Sequence, residues 1–152
     1  MTNAPAAQRV GADVTTLDDR QRVLLIRRRD NGRWDVPGSG AHVGERGGDA
    51  ARRGLAGETG VRVDALRPVG VFSAPEASFT YPDGNRVAWV TILYATHTVP
   101  THPDATTNAG SDAAEARWCP LHDLPPNVTP ITRAHFDAIL TSAQHAPAIQ
   151  EK

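Results

Sequence analysis

An α+β fold built on a mixed β-sheet is the class this sequence predicts, and three observations predict it. Strand-like apolar runs stand on both sides of one helix-like segment. A long hairpin pattern with a Pro-Asp-Gly-Asn turn fills the middle of the chain. A second helix-like segment closes it, so the order is two strands, a loop, a helix, several strands and a helix. At 152 residues the chain is the size of one ordinary domain.

Each element follows from local chemistry. Residues 1–8 are small and polar and read as a flexible tail. "VGADVTTLDD" (10–19) alternates apolar and polar residues, and "RVLLIRRR" (22–29) is a compact apolar run. The "DDRQ" between them makes a hairpin the expected link. "DNGRWDVPG" (30–38) holds a turn, a short extended piece at 34–36 and a Pro-Gly stop. Residues 48–59 are the first helix, burying Ala50, Ala51 and Leu55 and stopping at Gly60. "VRVDALRPVGVFSA" (61–74) returns to strand character, and the hairpin spans 78–99 around Pro82-Asp83-Gly84-Asn85.

Residues 100–112 read as loop and 114–121 as a short strand. Thr129 caps the last helix, with Pro130 at its first position and Ile131, His135, Phe136, Ile139 and Leu140 at helical spacing. One domain over 9–141 is expected, with residues 142–152 a second flexible tail.

Composition narrows the function classes. The chain is 39% hydrophobic and 22% charged, with a net charge of −1. That balance argues against a nucleic-acid or membrane partner, which would want a basic surplus or stripe. Arginine supplies nearly all the positive charge, because Lys152 is the only lysine. Cys119 stands alone, which excludes an intrachain disulfide and a Cys-rich zinc cluster. There is no apolar leader at the start and no window of about 18 apolar residues, so a soluble, cytoplasmic protein is expected.

Most of the chemical information lies in "GSGAHVGERGGDAARRGLAGETGV" (38–61), a glycine-rich loop, one acid, then a helix. Its spacing, together with "RVLLIRR" before "WDVPG" and "EARWCPLHDLP" after the hairpin, resembles the Nudix box and its flanks. The resemblance covers residues 9–141 and implies a Nudix-type α/β/α sandwich. Ser39 stands at the leading glycine of the box, Glu45 at its first glutamate and Arg53 at its arginine. Gly54, Gly57 and Glu58 stand at the three helix carboxylates, and Gly60 at the closing glycine.

Helix positions i, i+3 and i+4 share a face, so an intact box aims three carboxylates at one cleft. There they hold Mg²⁺, a hard cation that wants oxygen ligands and substrate phosphate oxygens. Here two of the three are glycine. Glu58 and, weakly, Glu45 remain as metal ligands, so Mg²⁺ or Mn²⁺ is expected to bind poorly. The resemblance otherwise gives Glu45, Arg53 and Gly60 a structural role in the box. Two helix glycines cost about 1–2 kcal/mol relative to alanine. Alanine would have removed the acids at no such cost, so cleared volume beside the helix is one reading of Gly54 and Gly57, as substrate-facing positions; decay or deliberate inactivation is another.

Three functional readings follow. One is a Nudix-fold protein with a depleted metal site that binds a small molecule, either inactive as a diphosphatase or repurposed for acid/base chemistry with little use of metal. Glu58 and His42 would then be the catalytic base and acid. A second is an Mg²⁺- or Mn²⁺-dependent hydrolase of a nucleoside diphosphate linked to another moiety, with relocated ligands. The third is a non-catalytic ligand sensor. Arg27 is the candidate for an anionic group, and Trp34, Phe79, Tyr81 and Trp89 for stacking on a planar ring. Glu76, Glu115, His97 and His102 are candidates for an extra ligand, and Cys119 is expected to be buried and inert. A homodimer is compatible with the resemblance, but no apolar stripe requires one.

Overall fold

The computed structural model describes residues 7–98 and 113–145, apart from the side chains of 74–77 and 140–145. The candidates Glu76, as a side chain, and His102 therefore lie outside the described residues. Among the described residues, seven strands and two helices form one mixed sheet with a helix on each face. In chain order they are β1 (Ala7–Leu17), β2 (Arg22–Arg28), β3 (Trp34–Asp35), β4 (Gly38–Gly40), α1 (Gly47–Thr59), β5 (Arg67–Thr80), β6 (Arg86–His97), β7 (Ala113–Pro120) and α2 (Pro130–His145). The main path runs β3-β2-β1-β6-β5, with β4 on β1 and β7 on β2. This is the α/β/α sandwich expected.

The strands alternate as their sequences dictate. Even positions of β1 and β2, with Tyr94 of β6, turn Ala12, Val14 and Leu24 onto α1, where Ala50, Ala51 and Leu55 meet them. Odd positions turn Val23 and Leu25 to the other face, with Trp34, Val36, Cys119 and Phe136 of α2. Leu93 and Ala95 of β6 pack there on Ile139. The same alternation puts Asp13 on the α2 face, a polar residue on a strand whose neighbours are apolar or small.

One expectation changes in a way that builds the site. β1 and β2 are not a regular hairpin, because their paired register is confined to Leu17 and Val23 beside the turn. β1 instead pairs in parallel with β6 over its whole length, and β4 takes its other edge at Gly11, Ala12 and Asp13. The reason is β4 itself. Its three residues, with Val14 N–H bonded to Pro37 O at 2.9 Å, wedge into the sheet and part the two strands. The later hairpin is closed by β5 and β6, with Gly84 at φ 87° in its turn and Asp83 accepting from Asn85 N–H.

The helices begin and end where their chemistry allows. Gly60 stops α1 in the left-handed region at φ 76°, its N–H bonded to Ala56 O. Thr129 caps α2 through Oγ1, which accepts from Thr132 N–H at 3.3 Å. Among the described residues no helix is long and apolar enough to cross a membrane.

The β1–β2 turn hangs on one buried carboxylate. Asp18 Oδ1 accepts from the N–H groups of Arg20 (3.0 Å) and Arg22 (2.8 Å), and Oδ2 from Arg22 Nε at 2.6 Å. Asp18→Ala leaves these donors unpaired and should cost about 1–3 kcal/mol. A chemical-denaturation midpoint equal to that of the parent would contradict this account of the turn.

Candidate functional site

Between β1 and α1, β4 forms a junction at which residues of β1, α1 and the start of α2 come together, and Gly38 sits at its centre. Its N–H donates to Glu58 Oε1 at 2.9 Å, which fixes the one box carboxylate left on α1. Directly opposite, Asp13 is the register partner of Gly38, and a Cβ at residue 38 would collide with the Asp13 carboxylate. Two acids therefore approach one glycine from different elements.

Gly38 also explains Gly54. A Cβ at residue 54 would lie 2.5 Å from the Gly38 carbonyl carbon, 2.6 Å from its oxygen and 2.9 Å from Ser39 Cβ. The helix touches the strand backbone there, so Gly54 is buried and offers no room to a ligand. This corrects the expectation that Gly54 lines open space. Gly57 is different, exposed and with nothing among the described residues within 4 Å of its added Cβ. Cleared volume is a fair description of residue 57 alone.

The remaining box acid is spent on architecture. Arg53 Nε donates to Glu45 Oε2 at 3.1 Å, and Nη2 donates to Glu45 Oε1 and to Gly40 O, both at 2.9 Å. Glu45 also accepts from His42 N–H at 3.0 Å. Loop, helix and β4 are thereby tied together. The imidazole of His42 is 68% exposed, with Nδ1 3.9 Å from Glu45, so it belongs to this outer loop.

Several charged groups escaped the sequence reading. Asp35 receives hydrogen bonds from the hydroxyls of Thr129 and Thr132 at the start of α2, the latter at 3.1 Å. Arg28 reaches Asp35 at 3.6 Å and Asp30 at 2.8 Å, and lies 5.3 Å from the Phe79 ring. Asp13 keeps 27% of its side-chain surface. Burial first, then the like charges of Asp35 and Glu58, push its carboxyl well above the usual range, against a smaller opposing pull from Arg28. Behind it stands His135 of α2, 0% exposed, with Nδ1 4.0 Å from Asp13 Oδ2. Among the described residues neither ring nitrogen has a hydrogen-bond partner, and burial depresses its pKa to about 4. The signal for Asp13 was available, since a lone acid interrupts "VGADV" in mid-strand. Its neighbours were not.

The other candidates fall elsewhere. Trp34 is 6% exposed and packs in the core beneath Arg117, 4.9 Å away, so it is a core ring and no stacking surface. Arg27 Nε pairs with Glu115 at 3.3 Å on β7, and Arg117 holds the same carboxylate. Phe79 and Tyr81 pack edge to face at 4.9 Å near the hairpin turn. Trp89 is half-buried, with the Arg9 guanidinium 5.5 Å from its ring and Gly11 and Gly40 against its edge. His97 is exposed and Cys119 is buried, its pKa raised by burial.

A divalent ion of the kind the Nudix resemblance implies does not fit this donor set. Glu45 is held by Arg53 and one Glu58 oxygen by Gly38 N–H. No group of three or more His, Cys, Asp or Glu among the described residues is placed to hold a metal.

Comparison with known proteins gives a consistent result. The family model described as "NUDIX domain" matches residues 7–139. A Bacillus subtilis protein named "Putative 8-oxo-dGTP diphosphatase" is 36% identical over 66 residues, 43% of this chain and 44% of that protein. The match thus spans less than half of that curated relative. Among solved structures, a MutT NUDIX hydrolase from Burkholderia pseudomallei superposes with a TM-score of 0.71 at 24% identity, covering 87% of this chain and 98% of that one. The NUDIX domain of Shewanella oneidensis NrtR, complexed with ADP ribose, gives 0.70 at 19% identity, covering 90% and 88%. At these identities the structures speak to fold.

Two measurements check the site. Gly54→Ala should destabilise by about 1–3 kcal/mol through overpacking against backbone, whereas Gly57→Ala should stabilise by about 0.5–1 kcal/mol. Unfolding midpoints of the same sign for both would refute the packing at Gly38. The Arg53 guanidinium, with the His42 N–H, holds the Glu45 carboxyl down to about 2, below an ordinary 4.5. That stabilisation is complete above about pH 4.5 and is lost as pH falls toward about 2. Urea titrations of Glu45→Gln across this window should show a shallower acid loss than the parent.

Proposed function

Because the chain belongs to the NUDIX domain family, we propose that it is a member with a depleted metal site, whose cleft around Gly38 takes a small molecule. The observation that carries this is the closed contact between Gly54 and the Gly38 backbone, which leaves Glu58 as the one carboxylate of the three box positions. Conventional hydrolysis of a diphosphate needs several anionic oxygens around a cation, to neutralise the phosphates and activate water. A wall with one such group holds that cation weakly. Where chemistry occurs, Glu58 is the base, its carboxylate placed by the Gly38 N–H to take a proton from a bound nucleophile. Where it does not, the same cleft serves as a ligand-binding module.

A second reading has its own support, the identity to a relative whose name includes 8-oxo-dGTP diphosphatase. It makes the protein an Mg²⁺- or Mn²⁺-dependent hydrolase of a nucleoside diphosphate derivative. The two readings part on one assay. The purified chain is incubated with 8-oxo-dGTP and with ADP ribose, with and without Mg²⁺ or Mn²⁺. Release of phosphate, pyrophosphate or nucleoside monophosphate should stay at the background of a Glu58→Gln control under the first reading. Metal-stimulated turnover that Glu58→Gln abolishes would replace it with the second.

A further inference from the structure

We propose that Asp13 is a second ligand-contacting acid of the site, and that with Glu58 across Gly38 it fits the site to a group rich in hydrogen-bond donors or positively charged, and not to a bare diphosphate. The inference rests on the reading of the cleft as a small-molecule site and specifies the ligand chemistry.

Placement comes first. Asp13 and Glu58 reach Gly38 from β1 and α1, the former against its Cα and the latter on its N–H. Gly54, the box position without a side chain, lies against the carbonyl of the same residue. The acid missing from the helix therefore has a counterpart on the strand, on the far side of one backbone unit. Asp13 is partly open to solvent, so a ligand can touch it.

His135 is the independent sign that this corner expects another group. It is wholly buried, both ring nitrogens lack a partner among the described residues, and its Nδ1 points at Asp13 Oδ2 from 4.0 Å, beyond hydrogen-bond reach. Phe72 closes the other side of the ring, 4.7 Å centroid to centroid. A ligand that engages Asp13 from the cleft completes a polar cluster that the protein alone leaves short of partners.

Charge then selects the class. Asp13, Asp35 and Glu58 lie close enough to repel one another, and Arg28 beside them is already engaged by Asp30 and Asp35. A diphosphate brought here without a metal meets like charge in a partly desolvated setting. An amidinium or an amino-substituted ring meets carboxylates, which accept two parallel N–H bonds and lose their mutual repulsion.

The test is calorimetric titration of the full chain, in metal-free buffer, with benzamidine as the planar cation and inorganic pyrophosphate as the anion. The parent should bind benzamidine at least about ten-fold tighter than pyrophosphate. Asp13→Asn, which keeps size and removes the ionisable carboxyl, should weaken benzamidine by about ten-fold or more. Amide NMR shifts of Gly38 and Asp13 in the parent, which do not depend on any variant folding, should move on adding benzamidine. No benzamidine binding, equal binding by Asp13→Asn, tighter pyrophosphate binding, or unmoved Gly38 and Asp13 signals would each overturn the proposal. Loss of binding in Glu58→Gln but not in Asp13→Asn overturns it while leaving the cleft as a binding site.

Discussion

Gly38 is the point on which the cleft depends, because three elements press against a single residue that has no side chain. Its N–H holds Glu58, its Cα lies under the Asp13 carboxylate, and its carbonyl bears on Gly54. Close packing makes such contacts interdependent, since interiors near crystal density have no slack to absorb an added methyl group. A glycine at 38 admits Asp13, and a glycine at 54 lets α1 approach near enough for Glu58 to reach the strand backbone. The depleted helix wall and the acid on β1 are thus consequences of one geometry.

The sheet supplies the opening in which that geometry sits. Ladder pairing would have zipped β1 to β2 from the turn outward, but β4 occupies the edge of β1 from Gly11 to Asp13. Backbone hydrogen bonds lost to β2 are recovered on β4 and, in parallel, along the full length of β6. Side chains from both helices converge beside this strand end. Glu58 arrives from α1, and Thr129, Thr132 and His135 from α2.

Two ion pairs set the outer boundary. Arg53 clamps Glu45 and the Gly40 carbonyl, which stops the glycine-rich loop from swinging away from α1. Asp35, held by the two threonine hydroxyls, ties β3 to the start of α2, and Arg28 balances part of its charge. Surface pairs of this kind contribute little energy singly. Their effect here is positional, because each joins elements distant in sequence around the same opening.

Element types were readable from the chain, because periodicity, caps and turn residues are local. Residues 48–59 with Gly60, Thr129-Pro130 at the head of α2 and the Asp83-Gly84 turn all announced themselves. The box spacing carried the family, and with it the layered fold. Trp34 shows the first limit: aromatic character marks both a core ring and a stacking platform, and burial alone separates them. The pairing of β1 shows the second, since apolar alternation states which face a residue takes but not which strand lies beside it. Gly54 and Asp13 show the third. The sequence by itself determined that two box acids are absent. Only the tertiary structure decided that one absence is filled by backbone, the other is open, and a different acid stands across Gly38, because those facts are distances between residues about 16 to 45 positions apart, and no local pattern encodes them.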